Sequence, residues 1–117
     1  MARVVAFVPD LLFGSNVLGA LRAAGHDPVL VSGPEQLQAE LPGADVVVVD
    51  LTADANERIE RFRELPRGGT PALAFYSHVE TDVRAQAEQA GFDMVVPRSR
   101  MAREGAVLVA RLLADGD

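Results

Sequence analysis

Five short apolar runs recur along the chain: RVVAFV (3–8), PVLV (28–31), DVVVVD (45–50), PALAFY (71–76) and MVVP (94–97). They are rich in β-branched and aliphatic residues, and none alternates apolar with polar positions. That continuity is the mark of a strand covered on both faces. Between the runs the spacing becomes helical. Leu18, Leu21 and Arg22 belong to a helix that stops at Gly25, where glycine tolerates a positive φ. PEQLQAEL (34–41) opens on proline, which suits the first helical position. ANERIERFREL (55–65) sets Ile59, Phe62 and Leu65 on one stripe, with Glu57 and Arg61 four apart and able to pair. VETDVRAQAEQA (79–90) carries Val79, Val83, Ala87 and Ala90 at helical spacing and ends at Gly91. AREGAVLVARLLA (102–114) turns Leu108 and Leu112 inward.

This alternation, strand then helix five times over, predicts an α/β domain with a parallel sheet, right-handed crossovers and a helical layer on each face. Chemistry in such sheets sits beyond the carboxyl ends of the strands. Those ends carry Asp10, Asp50, Tyr76-Ser77-His78 and Arg98-Ser99. Each has a structural role open to it beside a chemical one. Asp50 can be a presented carboxylate or a turn residue that accepts backbone N–H bonds. Asp10 can cap the first helix, with Ser15 as a rival cap that would start it later. Ser77 and Glu80 in SHVE form a capping box; SGPE at Ser32 repeats it, and DANE at Asp54 resembles it. Gly14 and Gly19 match no phosphate-binding motif and suit close packing of the first helix on the sheet.

Composition narrows the classes. The 117 residues are the length of one domain, and 49% hydrophobic content suits one ordinary core. Aromatics are 5%, so that core is aliphatic. Cysteine is absent, which removes disulfides, thiolate zinc sites and cysteine nucleophiles and fits a reducing cytoplasm. No apolar run approaches the roughly 20 residues needed to cross a membrane, and MARVVAFVPD is too short a run for a signal peptide. The net charge of −6 opposes a phosphate backbone, so nucleic acid is not an expected partner. His78 with Glu80 and Asp82 has poor spacing for a metal on a helix face; His26 reads as a turn residue. Thr52 and His78 are candidates to contact a ligand at the rim of the strand ends. Ser77 and His78 are adjacent and lack a nucleophile elbow, so they form no hydrolase dyad.

Five β-α repeats in a chain of this length, with Asp50 ending the third strand, resemble the response-regulator receiver domain (CheY-like). AGFDMVVPRSR (90–100) is similar to the receiver pattern of Ala-Gly, a strand, then a basic residue near Pro or Ser; LRAAGHDPVLV (21–31) looks like the usual end of the first helix and second strand. The resemblance implies a three-layer flavodoxin-like fold, five parallel strands in the order 2-1-3-4-5 with five helices. It implies that Asp50 matches the phosphoacceptor, that Ser77 or Tyr76 matches the phosphate-binding hydroxyl, and that Arg98 stands where receivers carry lysine. The acidic pair that helps hold Mg²⁺ falls on Val8 and Pro9, or on Pro9 and Asp10, so Asp10 and Asp50 are the only carboxylates left for a metal. Val95 occupies the position of the customary aromatic switch residue, and LTADAN lacks the usual Met-Pro and Gly after the acceptor. Leu11, Leu12 and Phe13 stand where polar metal-site residues are usual, either plugging the pocket or forming an apolar surface.

The expectation is therefore an atypical receiver, or pseudo-receiver. It is a stand-alone cytoplasmic module, not an enzyme, working through protein contacts without phosphorylation or a cofactor. By analogy with receivers the contact surface is expected on the face of helix 4, strand 5 and helix 5, where Arg84, Arg98, Arg100, Arg103 and Arg111 lie. It would serve a histidine kinase, a downstream effector or a second copy of the chain as a homodimer. Two alternatives accompany it. One is a genuine phosphoacceptor that takes Mg²⁺ and a phosphoryl group from a histidine kinase on Asp50. The other is a flavodoxin-like domain that binds a small ligand.

Overall fold

The apolar runs become β1 (Arg3–Phe7), β2 (Asp27–Val31), β3 (Val46–Asp50), β4 (Ala72–Tyr76) and β5 (Met94–Pro97). The computed structural model describes residues 2–115. The strands form one parallel sheet in the order β2-β1-β3-β4-β5, as expected. The intervening helices are α1 (Leu11–Ala23), α2 (Pro34–Glu40), α3 (Ala55–Arg63), α4 (Thr81–Ala90) and α5 (Arg98–Asp115), with a 3-10 turn at Leu41–Gly43.

The four valines of β3 explain the layering. Val46 to Val49 are at most 1% exposed because β3 is the central strand. Val47 and Val49 join a core with Leu37, Ile59, Phe62 and Val83, beneath α2, α3 and α4. Val46 and Val48 face the opposite core, with Phe13, Leu21, Met101 and Leu108 from α1 and α5. Each such burial contributes about 1.5–3 kcal/mol. The two strands that contain proline, β2 with Pro28 and β5 with Pro97, lie at the sheet edges.

Helix ends follow glycine as read from the sequence. Gly25 has φ 88°, with His26 N–H on the Leu21 carbonyl (3.0 Å) and Gly25 N–H on that of Arg22 (3.0 Å), a paired C-terminal cap. Gly91 at φ 105° ends α4, and a Cβ there would stand 3.3 Å from Arg67 Nη2. Gly14 does pack closely, since its Cβ would meet Leu30 Cδ2 at 3.1 Å and the Val8 carbonyl at 3.2 Å; Gly19 faces open space.

α2 and α3 start where expected and α1 takes one of its two expected caps, but the other capping contacts and the starts of α4 and α5 depart from expectation. Asp10 caps α1 through Phe13 N–H (3.0 Å), so the helix begins at Leu11 and Ser15 lies inside it. α4 begins two residues later than the pattern implied. Glu80 N–H bonds to the Ser77 carbonyl (2.9 Å) in a turn, and Glu80 itself is non-helical (φ −108°, ψ 73°), so the Ser77 capping box does not form. Val79 is consequently 75% exposed instead of inward. Ser32 pairs with Gln36 Oε1 rather than Glu35, and Asp54 precedes α3 in a left-handed conformation without a side-chain cap. α5 starts four residues early because nothing in Arg98-Ser99-Arg100 breaks a helix and Met101 anchors its first turn in the core. Arg61 pairs with no carboxylate among the described residues; on α3 the ion pairs are Arg58–Asp54 and Arg63–Glu60.

Two glycine substitutions should have opposite signs. Gly91→Ala forces a left-handed alanine and should destabilise by about 1–2 kcal/mol. Gly19→Ala fills open space in a helix interior and should stabilise by about 0.5–1 kcal/mol. Urea unfolding of both variants measures the difference.

Candidate functional site

β3 ends on Asp50, which lies opposite Phe75 of β4 and is 3% exposed. A carboxylate at that depth must have its oxygens engaged. Thr52 does most of this. Its N–H and its hydroxyl both donate to Asp50 Oδ1, at 2.7 and 2.5 Å. This is the turn-forming role open to Asp50 from the sequence. The other partner was not read from the sequence. Arg58 of α3 donates through Nη1 to the Asp50 carbonyl (2.8 Å), and the same nitrogen stands 3.9 Å from Asp50 Oδ2. The Arg58 side chain is only 13% exposed and lies over the Phe7 ring at 5.1 Å. The sequence signal available was only local: Asp54 and Arg58 stand four apart and do pair (3.9 Å), but that spacing does not reach Asp50 on the strand.

Above this buried group the strand ends form an open cleft of about 490 Å³, lined by Asp10, Phe13, Thr52, Ser77, His78, Arg98 and Ser99. Five residues singled out from the sequence, Asp10, Thr52, Ser77, His78 and Arg98, thus meet in one place. Asp50 does not line the cleft; Thr52, bonded to it, does. Of the two hydroxyl candidates, Ser77 reaches the cleft, whereas Tyr76 is buried in the core beneath α3 and α4. The Arg98 guanidinium carbon lies over the Phe13 ring, 4.3 Å from its centroid, and Arg98 faces Asp10 Oδ2 across 3.8 Å. Phe13 in turn packs on Phe75 with ring centroids 5.1 Å apart. Phe13 therefore turns inward. Leu11 and Leu12 do not plug the pocket but stand 76% and 77% exposed beside it.

These residues do not fit a magnesium ion. Mg²⁺ requires near-octahedral oxygen ligands at about 2.0–2.1 Å. Asp10 spends one oxygen capping α1 and turns the other toward Arg98. Asp50 spends Oδ1 on Thr52. Val8 is buried in the core and Pro9 has no side-chain oxygen. Among the described residues, no group of three or more His, Cys, Asp or Glu could hold a metal. No described helix is long and apolar enough to cross a membrane.

No protein-family model matches the chain, and neither does any curated protein sequence. Solved structures do. The receiver domain of the Francisella response regulator 1452 superposes with TM-score 0.85 at 15% identity over 100% of both chains. NtrX from Brucella abortus matches with TM-score 0.86 at 14% identity over 98% of this chain, which spans 26% of NtrX. The receiver domain of a Pseudomonas aeruginosa sensor histidine kinase, solved with magnesium coordinated in its active-site cleft, matches with TM-score 0.78 at 16% identity over 97% of this chain and 98% of that one. The chain has the fold of response-regulator receiver domains, CheY-like and flavodoxin-like.

The Asp50–Thr52 bond is open to a direct test. Thr52→Val leaves a buried carboxylate oxygen short of a donor and should cost about 1–3 kcal/mol. Adding Asp50→Val should make the double variant less destabilised than the two single losses summed, a coupling that a urea-unfolding mutant cycle reads.

Proposed function

We propose that this chain is a non-enzymatic signalling module of receiver fold that works in the cytoplasm through protein contacts, without phosphorylation of Asp50. The observation that carries the reading is the engagement of Asp50 within its own chain. A phosphoacceptor must present a carboxylate oxygen to the donor, and the metal beside it needs further carboxylates. Here Asp50 is 3% exposed and held by Thr52 and Arg58, while Asp10 is committed to a helix cap and to Arg98. In the magnesium-bound Pseudomonas aeruginosa receiver the same fold does hold the ion in its cleft, so the limit lies in this chain's side chains and not in its backbone.

The contact surface we assign is the face of α4, β5 and α5. Arg103, Val107 and Arg111 recur at intervals of four on α5 and are all exposed, with Val107 at 55%. Arg100 on the same helix and Arg84 on α4 are partly neutralised by Glu104 and Glu88. In a chain of net charge −6 this basic stripe suits an acidic partner surface or a second copy presenting its acidic side.

The test is an NMR amide titration of the full chain with Mg²⁺, then beryllofluoride, alongside intact-mass analysis after exposure to acetyl phosphate. The expected result is no shift at Asp10, Asp50 or Ser77 and no phosphoryl mass gain. Saturable shifts there, with a mass gain lost in Asp50→Asn, would make the chain a genuine phosphoacceptor served by a histidine kinase.

A further inference from the structure

A second cavity, of about 250 Å³, opens on the other face of the sheet between α2 and α3. It exists because these helices do not pack on each other. The seven-residue α2 rests on β1 and on the 3-10 turn after it, and α3 packs on α4. The gap leaves Phe7 and Val49 of the sheet as a floor, with Leu37, Phe62 and Leu65 as apolar walls. Arg58 also lines this cavity. Its one hydrogen bond among the described residues goes to the Asp50 carbonyl, and the nearest oxygens of Asp50 and Asp54 lie at 3.9 Å, beyond hydrogen-bond range. A guanidinium carries five N–H donors, so this nearly buried one retains unengaged donors beside an apolar chamber.

We propose that the α2–α3 cavity binds a small aromatic monocarboxylate, with Arg58 as its anchor. Size fits a single ring. A cavity of roughly 150 Å³ accepts benzene, and the larger volume here leaves room for a carboxylate. Phe62 is covered by Phe92, stacked at 3.7 Å, and by Arg67 at 4.8 Å, so it can meet a ligand ring only edge-on, a favourable aromatic geometry. A guanidinium matches a carboxylate bidentately. The rim holds Glu35 and Glu64 as well as Arg61, but all three are exposed, where salt screens them. Arg58, 13% exposed, is the least exposed of the charged side chains lining the chamber, and the carboxylates of Asp50 and Asp54 approach it only to 3.9 Å. Because it also holds the end of β3, occupancy should be felt at Asp50 and Thr52. This site goes beyond the proposed function and exists whether or not Asp50 accepts a phosphoryl group.

The experiment is an NMR amide titration of the full chain with benzoate, with benzamide as its neutral isostere. Benzoate should give saturable shifts at Phe7, Leu37, Val49, Arg58 and Phe62, with smaller ones at Asp50 and Thr52. Benzamide should bind about tenfold more weakly, as should benzoate to Arg58→Gln. Absence of saturation at tens of millimolar benzoate, equal binding of benzamide, or shifts centred on Arg98 and His78 would each overturn the proposal. The benzoate–benzamide comparison decides it even if Arg58→Gln does not fold.

Discussion

The central strand β3 is buried on both faces, and the rest of the molecule is arranged around that burial. Its valines feed two separate cores, so a single five-residue segment ties α1 and α5 to α2, α3 and α4. The strand does not stop where its apolar run stops. It carries its burial one residue further, onto a carboxylate. Water is excluded there, and the chain itself must supply donors. Thr52 supplies two, both to Oδ1, while Arg58 donates to the Asp50 backbone carbonyl, so the carboxylate shapes the loop after β3 and the strand end ties down α3.

The consequence is an inversion of charge at the strand ends. The carboxylate lies beneath the surface, and what faces solvent is a guanidinium, an imidazole and three hydroxyls, with Asp10 as the single acid. A cation entering this cleft meets Arg98 first. The carboxylate that would attract it lies beneath the cleft, with Oδ1 bonded to Thr52 and Oδ2 3.9 Å from the Arg58 guanidinium. Fold and chemistry therefore part company: the backbone reproduces a receiver with TM-scores of 0.78 to 0.86, while the charges at its mouth do not suit a divalent metal.

The fold was legible in the sequence because its signals are local and redundant. Runs such as VVVV cannot be exposed, Gly25 and Gly91 mark helix ends by a conformation other residues avoid, and the strand bounds fell within a residue of those observed. The site was legible by position: Asp10, Thr52, Ser77, His78 and Arg98 do converge. What escaped was orientation. Whether Leu11 and Leu12 or Phe13 turned inward depends on where α1 starts, and that rests on one hydrogen bond from Phe13 N–H to Asp10. SHVE has the residues of a capping box, but the turn at Glu80 uses the Ser77 carbonyl instead of its hydroxyl. Arg58 escaped because its bond to the end of β3 links residues eight apart through a turn that no periodicity describes.

Pro28 has a consequence for how copies of this chain can meet. In β2 the Asp27 N–H points toward β1, bonding to the Ala2 carbonyl, so strand alternation turns positions 28 and 30 outward. Proline at 28 has no N–H, which leaves Leu30 as the one outward donor within the strand. At the opposite margin β5 is only four residues long and runs through Pro97 straight into α5. Neither margin offers the continuous row of donors and acceptors on which another extended segment could be laid. The sheet is closed to lateral growth, a safeguard against fibrillar stacking in a chain so rich in valine. Helix surfaces, where side-chain identity and not backbone alone selects the partner, are the ground the fold leaves more open for contact.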